Sequence, residues 1–375
     1  MNKIENLYIH IPFCHKVCTY CDFYKMVAKD SLKEKFITYL IKELDLKRDY
    51  LYNLKTIYIG GGTPTALPIP LLEKLLKYLN QFINLEILEE FTIEANPNDI
   101  TVELAKLLKK YHINRVSLGV QGLTKEKLAT LGRTHTKKDV ITAIKNLKKV
   151  KITNINADLI YGVGNETFKD LKKELKTLIH LGVKHISTYS LILEEKTILK
   201  KLYDEKKFSL YDEDSEKELY QKIIKYLKKK KFIHYEISNF AKKGYESIHN
   251  LTYWNNKNYI GVGPSASYYL GNIRYTNVKN LEKYFQGIDN NFLEYYEKVE
   301  LSIKDMMSEE LIMGLRKIKG ININEFQEKF NISIYDAFPI VKKLLDLKVL
   351  ALKNNYLFIP SDKLYLSNEV LVNFI

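Results

Sequence analysis

From Leu7 to Lys230 the chain alternates short β-branched runs with longer amphipathic stretches, and few folds accept that alternation. The strand candidates are Leu7–Ile11, Thr56–Ile59, Phe91–Ala95, Arg115–Gly119, Ile155–Ile160 and His185–Leu193. A 3.6-residue period predicts helices from Ser31 onward and over Leu71–Phe82, Val102–Tyr111, Lys137–Val150, Phe168–Leu181 and about Ser215–Lys230. Ser31-Leu32-Lys33-Glu34 reads as a capping box opening the first of these. Six strand-helix units joined by right-handed crossovers make an α/β fold, a partial (β/α)6 TIM-like barrel.

A chain of 375 residues exceeds one hydrophobic core, so a second unit is expected. From about Ser302 the pattern turns helical, through Leu311–Arg316 and Ile334–Leu347. A hairpin, Val349–Leu352 with Tyr356–Ile359, then closes around Asn354-Asn355. This predicts a smaller, mainly helical, winged-helix-like C-terminal domain over 301–375. The barrel would occupy 1–235 and a connecting region 236–300.

Parallel barrels carry their chemistry on the loops after the strands, and the polar and glycine motifs fall there. The only three cysteines of the chain, Cys14, Cys18 and Cys21, follow the first strand in a CxxxCxxC loop. Three thiolates can each take one iron of a [4Fe-4S] cubane and leave the fourth iron open to a small molecule. The same thiols with His10 or His15 could instead hold zinc, although zinc sites usually draw ligand pairs from distant segments. A disulfide fits poorly, since an odd number leaves one thiol over.

Gly60-Gly61-Gly62-Thr63-Pro64-Thr65 follows the second strand, Glu94-Ala95-Asn96-Pro97 ends the third, Gln121 follows the fourth and Asp158 lies near the end of the fifth. Singly these residues have structural uses: glycines turn chains, and polar strand ends cap helices. Together on one face they suit a polar ligand. Three glycines let backbone approach it, Glu94 and Asp158 can accept hydrogen bonds from ribose hydroxyls or an ammonium, and Arg133 can pair with a carboxylate. S-adenosylmethionine has those groups.

Composition sets outer limits. With 46% hydrophobic and 28% charged residues the chain reads as an ordinary soluble globular protein. No apolar run approaches the roughly 18 residues of a membrane span. Met1 to Glu5, carrying Lys3 and Glu5, lead straight toward the cysteine loop and do not read as a signal peptide, which with reduced thiols points to the cytoplasm. The net charge of +14 admits a nucleic-acid partner, but the lysines are dispersed, often beside glutamates. Their densest run, Lys228 to Lys231, closes a helix where cations are favoured.

CxxxCxxC after a first strand, with GGGTPT after the second, resembles the radical S-adenosylmethionine superfamily. The longer words Tyr8-Ile9-His10-Ile11-Pro12-Phe13-Cys14, Ser117-Leu118-Gly119-Val120-Gln121, Leu131-Gly132-Arg133-Thr134-His135 and Asp158-Leu159-Ile160-Tyr161-Gly162 narrow it to the HemN/HemW group. That group holds oxygen-independent coproporphyrinogen III oxidases and haem chaperones. The resemblance runs from Tyr8 nearly to the C-terminus. It implies that Cys14, Cys18 and Cys21 ligate a [4Fe-4S] cluster. Tyr8, Tyr20, Gly61, Gly62, Thr63, Glu94, Gln121, Arg133 and Asp158 would contact S-adenosylmethionine, whose sulfonium bond the reduced cluster can cleave.

Two features divide the relatives. The oxidases typically carry a fourth cysteine, CxxxCxxCxC, where this chain has Phe23, a departure that counts against the oxidase reaction. His249-Asn250-Leu251-Thr252-Tyr253-Trp254 matches the HNxxYW motif of the chaperones, which implies haem contacts from His249, Tyr253 and Trp254, with His249 as axial ligand. A loop histidine held by backbone is the plainer reading of His249. Tyr259-Ile260-Gly261-Val262-Gly263-Pro264-Ser265-Ala266 reads as a glycine-rich turn. The expectation is a haem chaperone that passes haem to acceptor proteins. Oxidative decarboxylation of coproporphyrinogen III and nucleic-acid modification remain the alternatives, and self-association stays open.

Overall fold

A computed structural model describes residues 4–375; the first three residues of the N-terminal segment lie outside the described residues. Six strands form the centre of the main sheet: β1 (Asn6–Ile11), β2 (Thr56–Gly61), β3 (Glu90–Ala95), β4 (Arg115–Gln121), β5 (Asn154–Tyr161) and β6 (His185–Ser190). Each runs parallel to the next. The helices between and after them are α1 (Asp30–Leu46), α2 (Ile69–Leu79), α3 (Val102–Lys110), α4 (Lys125–Thr130), α5 (Lys137–Lys149), α6 (Phe168–His180), α7 (Ile198–Asp204) and α8 (Glu213–Lys229). Thr136 and Thr167 form reciprocal capping boxes with Asp139 and Asp170, each worth about 1 kcal/mol of helix start.

The sheet extends past the six expected strands. β7 (Ile233–His234) and β8 (Asn239–Ala241) add antiparallel to β6. After α9 (Ile248–Trp254), β9 (Ile260–Val262) adds parallel to β1 on the opposite edge. The order is thus β7-β8-β6-β5-β4-β3-β2-β1-β9, an open nine-stranded sheet rather than a closed barrel. The segment 236–300 supplies two of its strands, and then an antiparallel sheet of β10 (Ser267–Leu270), β11 (Ile273–Asn277) and β12 (Tyr295–Glu300), with α10 (Leu281–Asp289) before β12.

The C-terminal part packs α11 (Ile303–Gly314), α12 (Ile323–Phe330), α13 (Ile334–Ala337) and α14 (Ile340–Asp346) beside a small sheet in the order β13 (Ile321–Asn322), β15 (Tyr356–Phe358), β14 (Ala351–Lys353). The Asn354-Asn355 turn has positive φ at both residues, 50° and 62°, as a two-residue hairpin of this twist requires.

Several sequence expectations change. The first helix starts at Asp30, with Lys29 as an N-cap that offers no side-chain bond, so Ser31 is not its cap. Asp30 sits in the first turn, where the helix dipole favours an anion. The strand expected over His185–Leu193 ends at Ser190, because Leu191 is buried in a separate apolar cluster with Leu131, Ile160, Val163 and Leu199. The helix expected over Ile334–Leu347 breaks at Phe338-Pro339, where a residue before proline is forced out of the helical region; Phe338 has φ −134°. The glycine-rich Tyr259–Ala266 stretch contains β9.

Candidate functional site: a polar cavity beside the cysteine loop

Strands in all-parallel sheets are usually apolar on both faces, yet here one face alternates polar residues at every second position. Glu90, Thr92 and Glu94 on β3, Arg115, Ser117, Gly119 and Gln121 on β4, Asn154, Asn156 and Asp158 on β5, and His185, Ser187 and Tyr189 on β6 share that periodicity. Register aligns them across the sheet: Glu94 pairs with Ser117, Gly119 with Asp158, and Asp158 with Ser187. The opposite face carries Ile93, Val116, Leu118, Ile155, Ala157 and Ile186, all buried in the core. The polar face lines a cavity of about 410 Å³, bordered at its mouth by Cys14, Cys18 and Cys21.

Backbone hydrogen bonds fix the cysteine loop. Cys14 N donates to the Met26 carbonyl (2.9 Å), Thr63 N to the Phe13 carbonyl (2.7 Å) and Gly62 N to the Ile11 carbonyl (2.8 Å). Thr19 Oγ1 donates to the Thr130 carbonyl at 2.7 Å, tying the loop to the end of α4. The glycines serve this packing. At Gly61 (φ +114°) a Cβ would lie 2.8 Å from the His10 ring, and at Gly62 it would lie 2.8 Å from the Phe13 carbonyl and 3.0 Å from Cys14 Sγ.

The thiols are free and partly buried. Thr63 Oγ1 lies 3.7 Å from Cys14 Sγ, and Arg133 Nη1 lies 3.4 Å from Cys18 Sγ. Burial pushes the Cys14 thiol up to about 11, opposed by Thr63 and the Arg133 cation. Among the described residues, no three His, Cys, Asp or Glu side chains converge as the ligands of a single metal ion do. His15 is occupied 3.3 Å from Asp99, and His10 by Tyr8 and the Tyr24 carbonyl, so neither joins the thiols as a zinc ligand. Three free thiols at the border of one cavity, with a Cβ-free Gly62 packed against Cys14 Sγ, suit a cluster in which each sulfur takes its own iron.

The remaining polar groups surround the cavity. Glu94 accepts from the Tyr58 hydroxyl (2.7 Å) and from Gly61 N (3.2 Å); burial, with nearby Asp158, raises its carboxyl to about 7. Asp158 accepts from Ser117 Oγ (3.1 Å) and Asn156 Nδ2 (2.8 Å), and burial raises it too. Arg133 donates to Asn96 Oδ1 (2.6 Å) and to the Gly119 carbonyl (2.7 Å), while its Nε is buried without a partner among the described residues. Gln121 takes φ +60° at a bulge in β4, a strained backbone for a non-glycine residue that turns its side chain to the cavity. Tyr20, Gly61, Gly62 and Thr63 line the same space.

Tyr8 is the exception among the residues expected around S-adenosylmethionine. It donates to His10 Nδ1 (3.0 Å) and borders a second, neighbouring cleft. The sequence reading also missed Arg115, Tyr58, Asn96, Ser117 and Asn156, all of which line the cavity. Arg115 is 1% exposed, with Nε unpartnered among the described residues. The overlooked signal was the period-two polar face.

The HNxxYW residues need a correction. His249 is fully buried, with Nδ1 at 2.7 Å from Thr56 Oγ1, Nε2 at 2.8 Å from the Tyr253 hydroxyl and its ring stacked on Tyr58. Burial, then Arg115, lowers it to about 3. Both ring nitrogens are taken, so His249 presents no lone pair to a haem iron. Glu90 fixes the start of α9 by accepting from Ser247 Oγ (3.1 Å) and Ile248 N (2.7 Å). Trp254 borders neither the cavity nor the cleft; Arg316 lies over its ring at 5.4 Å, and its buried Nε1 has no partner among the described residues. Only Tyr253 of the three lines an open space, the second cleft.

Two family models match the chain: the radical SAM superfamily over residues 8–178 and the HemN C-terminal domain over 301–361. The fold is similar to that of coproporphyrinogen III oxidase (HemN) from Escherichia coli, a radical SAM enzyme, with a TM-score of 0.86, 99% of this chain and 90% of that one covered, and 21% identity. At that identity the likeness concerns the fold alone. In sequence the chain is 36% identical to the heme chaperone HemW of Lactococcus lactis subsp. lactis, over 100% of this chain and 98% of that one. It is 35% identical to the heme chaperone HemW of Bacillus subtilis, over 99% of each. A cysteine-bordered polar cavity in an open parallel sheet, with end-to-end likeness at this level, makes the chain a member of the HemW family of radical SAM proteins.

Proposed function

We propose that this protein is a cytoplasmic haem chaperone, which binds haem and delivers it to acceptor proteins while holding a [4Fe-4S] cluster and S-adenosylmethionine in its barrel. Cys14, Cys18 and Cys21 would hold the cluster. Glu94, Gln121, Arg133 and Asp158, with Tyr20 and the Gly61-Gly62-Thr63 backbone, would hold S-adenosylmethionine. One-electron cleavage of a sulfonium bond is the chemistry such a pair supplies. The chain's own part is positional. Arg133 anchors β4 to the Cys18 thiol, and the Tyr58 hydroxyl and the Gly61 backbone amide hold the Glu94 carboxyl at the cavity.

Phe23 carries this reading. It stands where the resembling oxidases have a fourth cysteine, is 71% exposed and borders both the cavity and the neighbouring cleft. An apolar ring at a cavity mouth favours a flat apolar ligand, and the relatives similar over their full length are named heme chaperones. The fold shared with the oxidase does not choose between the two activities. Anaerobically reconstituted protein loaded with haem should pass it to an apo-haemoprotein and leave coproporphyrinogen III unchanged. Turnover to protoporphyrinogen would replace this reading with the oxidase one.

A further inference from the structure

We propose that haem sits in the second cleft, with the Tyr24 phenol on the iron and the Lys196 and Lys279 ammonium groups on the propionates. This seat rests on the haem-binding reading above and adds its place and ligands. The cleft is broad and open to solvent, about 870 Å³, roughly twice the cysteine-bordered cavity and within the ~300–1,000 Å³ typical of cofactor pockets. It shares Asp22, Phe23, Lys25 and Glu194 with that cavity, so a ligand there lies against the cluster loop without taking the place of S-adenosylmethionine.

A haem needs flat apolar walls, cations for two carboxylates and an axial donor. The exposed Phe23 ring and the Tyr253–Tyr259 pair, edge to face at 4.7 Å, supply walls. Lys196 and Lys279 are exposed, and neither forms an ion pair among the described residues; Lys279 rests over the Tyr296 ring at 4.2 Å. Lys25 is already engaged with the Cys21 carbonyl. Asp22, Glu194 and Glu195 also line the cleft, so the propionates must turn toward the two free lysines.

Most of the aromatic groups lining the cleft are already engaged. Tyr8 is bound to His10 and Tyr253 to His249, while Tyr259 is buried beside the Arg274 cation, which disfavours a second cation on its oxygen. His10 has its other ring nitrogen on the Tyr24 carbonyl at 2.9 Å. The Tyr24 hydroxyl has no hydrogen-bond partner among the described residues and borders the cleft. A phenol oxygen is one of the axial ligands haem iron accepts.

Haemin is titrated anaerobically into cluster-loaded protein, with affinity and absorption spectrum recorded and retention of S-adenosylmethionine measured alongside. Lys196→Glu combined with Lys279→Glu, both at exposed positions, should weaken haemin on the order of tenfold and keep S-adenosylmethionine. Tyr24→Phe should replace the phenolate-iron spectrum. Wild-type affinity and spectrum in both variants would overturn the seat alone, as would haemin that displaces S-adenosylmethionine. A wild-type protein that takes up no haemin would overturn the function and the seat together.

Discussion

Arg133 joins three segments around the cavity with one side chain: it touches Cys18, Asn96 and Gly119 through a planar fork. Lysine keeps the charge but not the fork, so Arg133→Lys should weaken S-adenosylmethionine by about tenfold or more in equilibrium dialysis. Glu94 gives a pH dependence. Its carboxyl, ordinarily near 4.5, is raised to about 7 by burial. A carboxyl with a raised folded value stabilises the fold while protonated, fully below about 4.5, and that contribution is lost as pH rises through about 7. The melting temperature of cofactor-free protein should therefore fall over this interval, and Glu94→Gln should flatten the fall; an unchanged slope would assign it elsewhere. His249, by contrast, is a packing residue. His249→Ala leaves Thr56 and Tyr253 without their shared partner and should cost about 2–4 kcal/mol in denaturant unfolding, yet keep haemin affinity.

The elements show how much the sequence disclosed. All six parallel strands and their principal helices follow from hydrophobic period, with ends shifted by one to a few residues. The cysteine loop, the glycines, Glu94, Gln121 and Asp158 could be placed because each lies near a strand end or in the loop beyond it, and Arg133, which follows α4, because of the word Leu131-Gly132-Arg133-Thr134-His135. Arg115, Asn156 and Ser117 lie within strands, where β-branched neighbours such as Val116 and Ile155 dominate the pattern; only their alternation betrays an inward polar face. The short strands β7 to β9 were illegible because two or three residues carry no period. His249 misled for a different reason: a motif gives residue types, while burial and the Thr56 partner come from a strand some 190 positions away. The glycine turn tests the packing argument. Gly61→Ala must move the His10 ring or the loop, and should cost at least about 1 kcal/mol and lower the iron content after reconstitution.

At the scale of the whole molecule, the sheet is left open, and the 236–300 segment extends both of its edges rather than simply linking two domains. No helix among the described residues is long and apolar enough to cross a membrane. The charge of +14 is a property of the entire surface, and a binder of nucleic acid would show it as a steep loss of affinity with salt. A haem carrier of this design should instead show RNA binding that is weak and without a saturable site. The central claim joins cluster, cofactor and haem in one chain. Its most direct test is an iron, sulfide and zinc count on anaerobically purified, reconstituted protein, with haemin titrated into the same sample and followed by quenching of Trp254, the single tryptophan. About four irons and four sulfides per chain and a saturable haemin site are expected; zinc without sulfide, or cluster-loaded protein indifferent to haemin, would contradict a chain that holds all three.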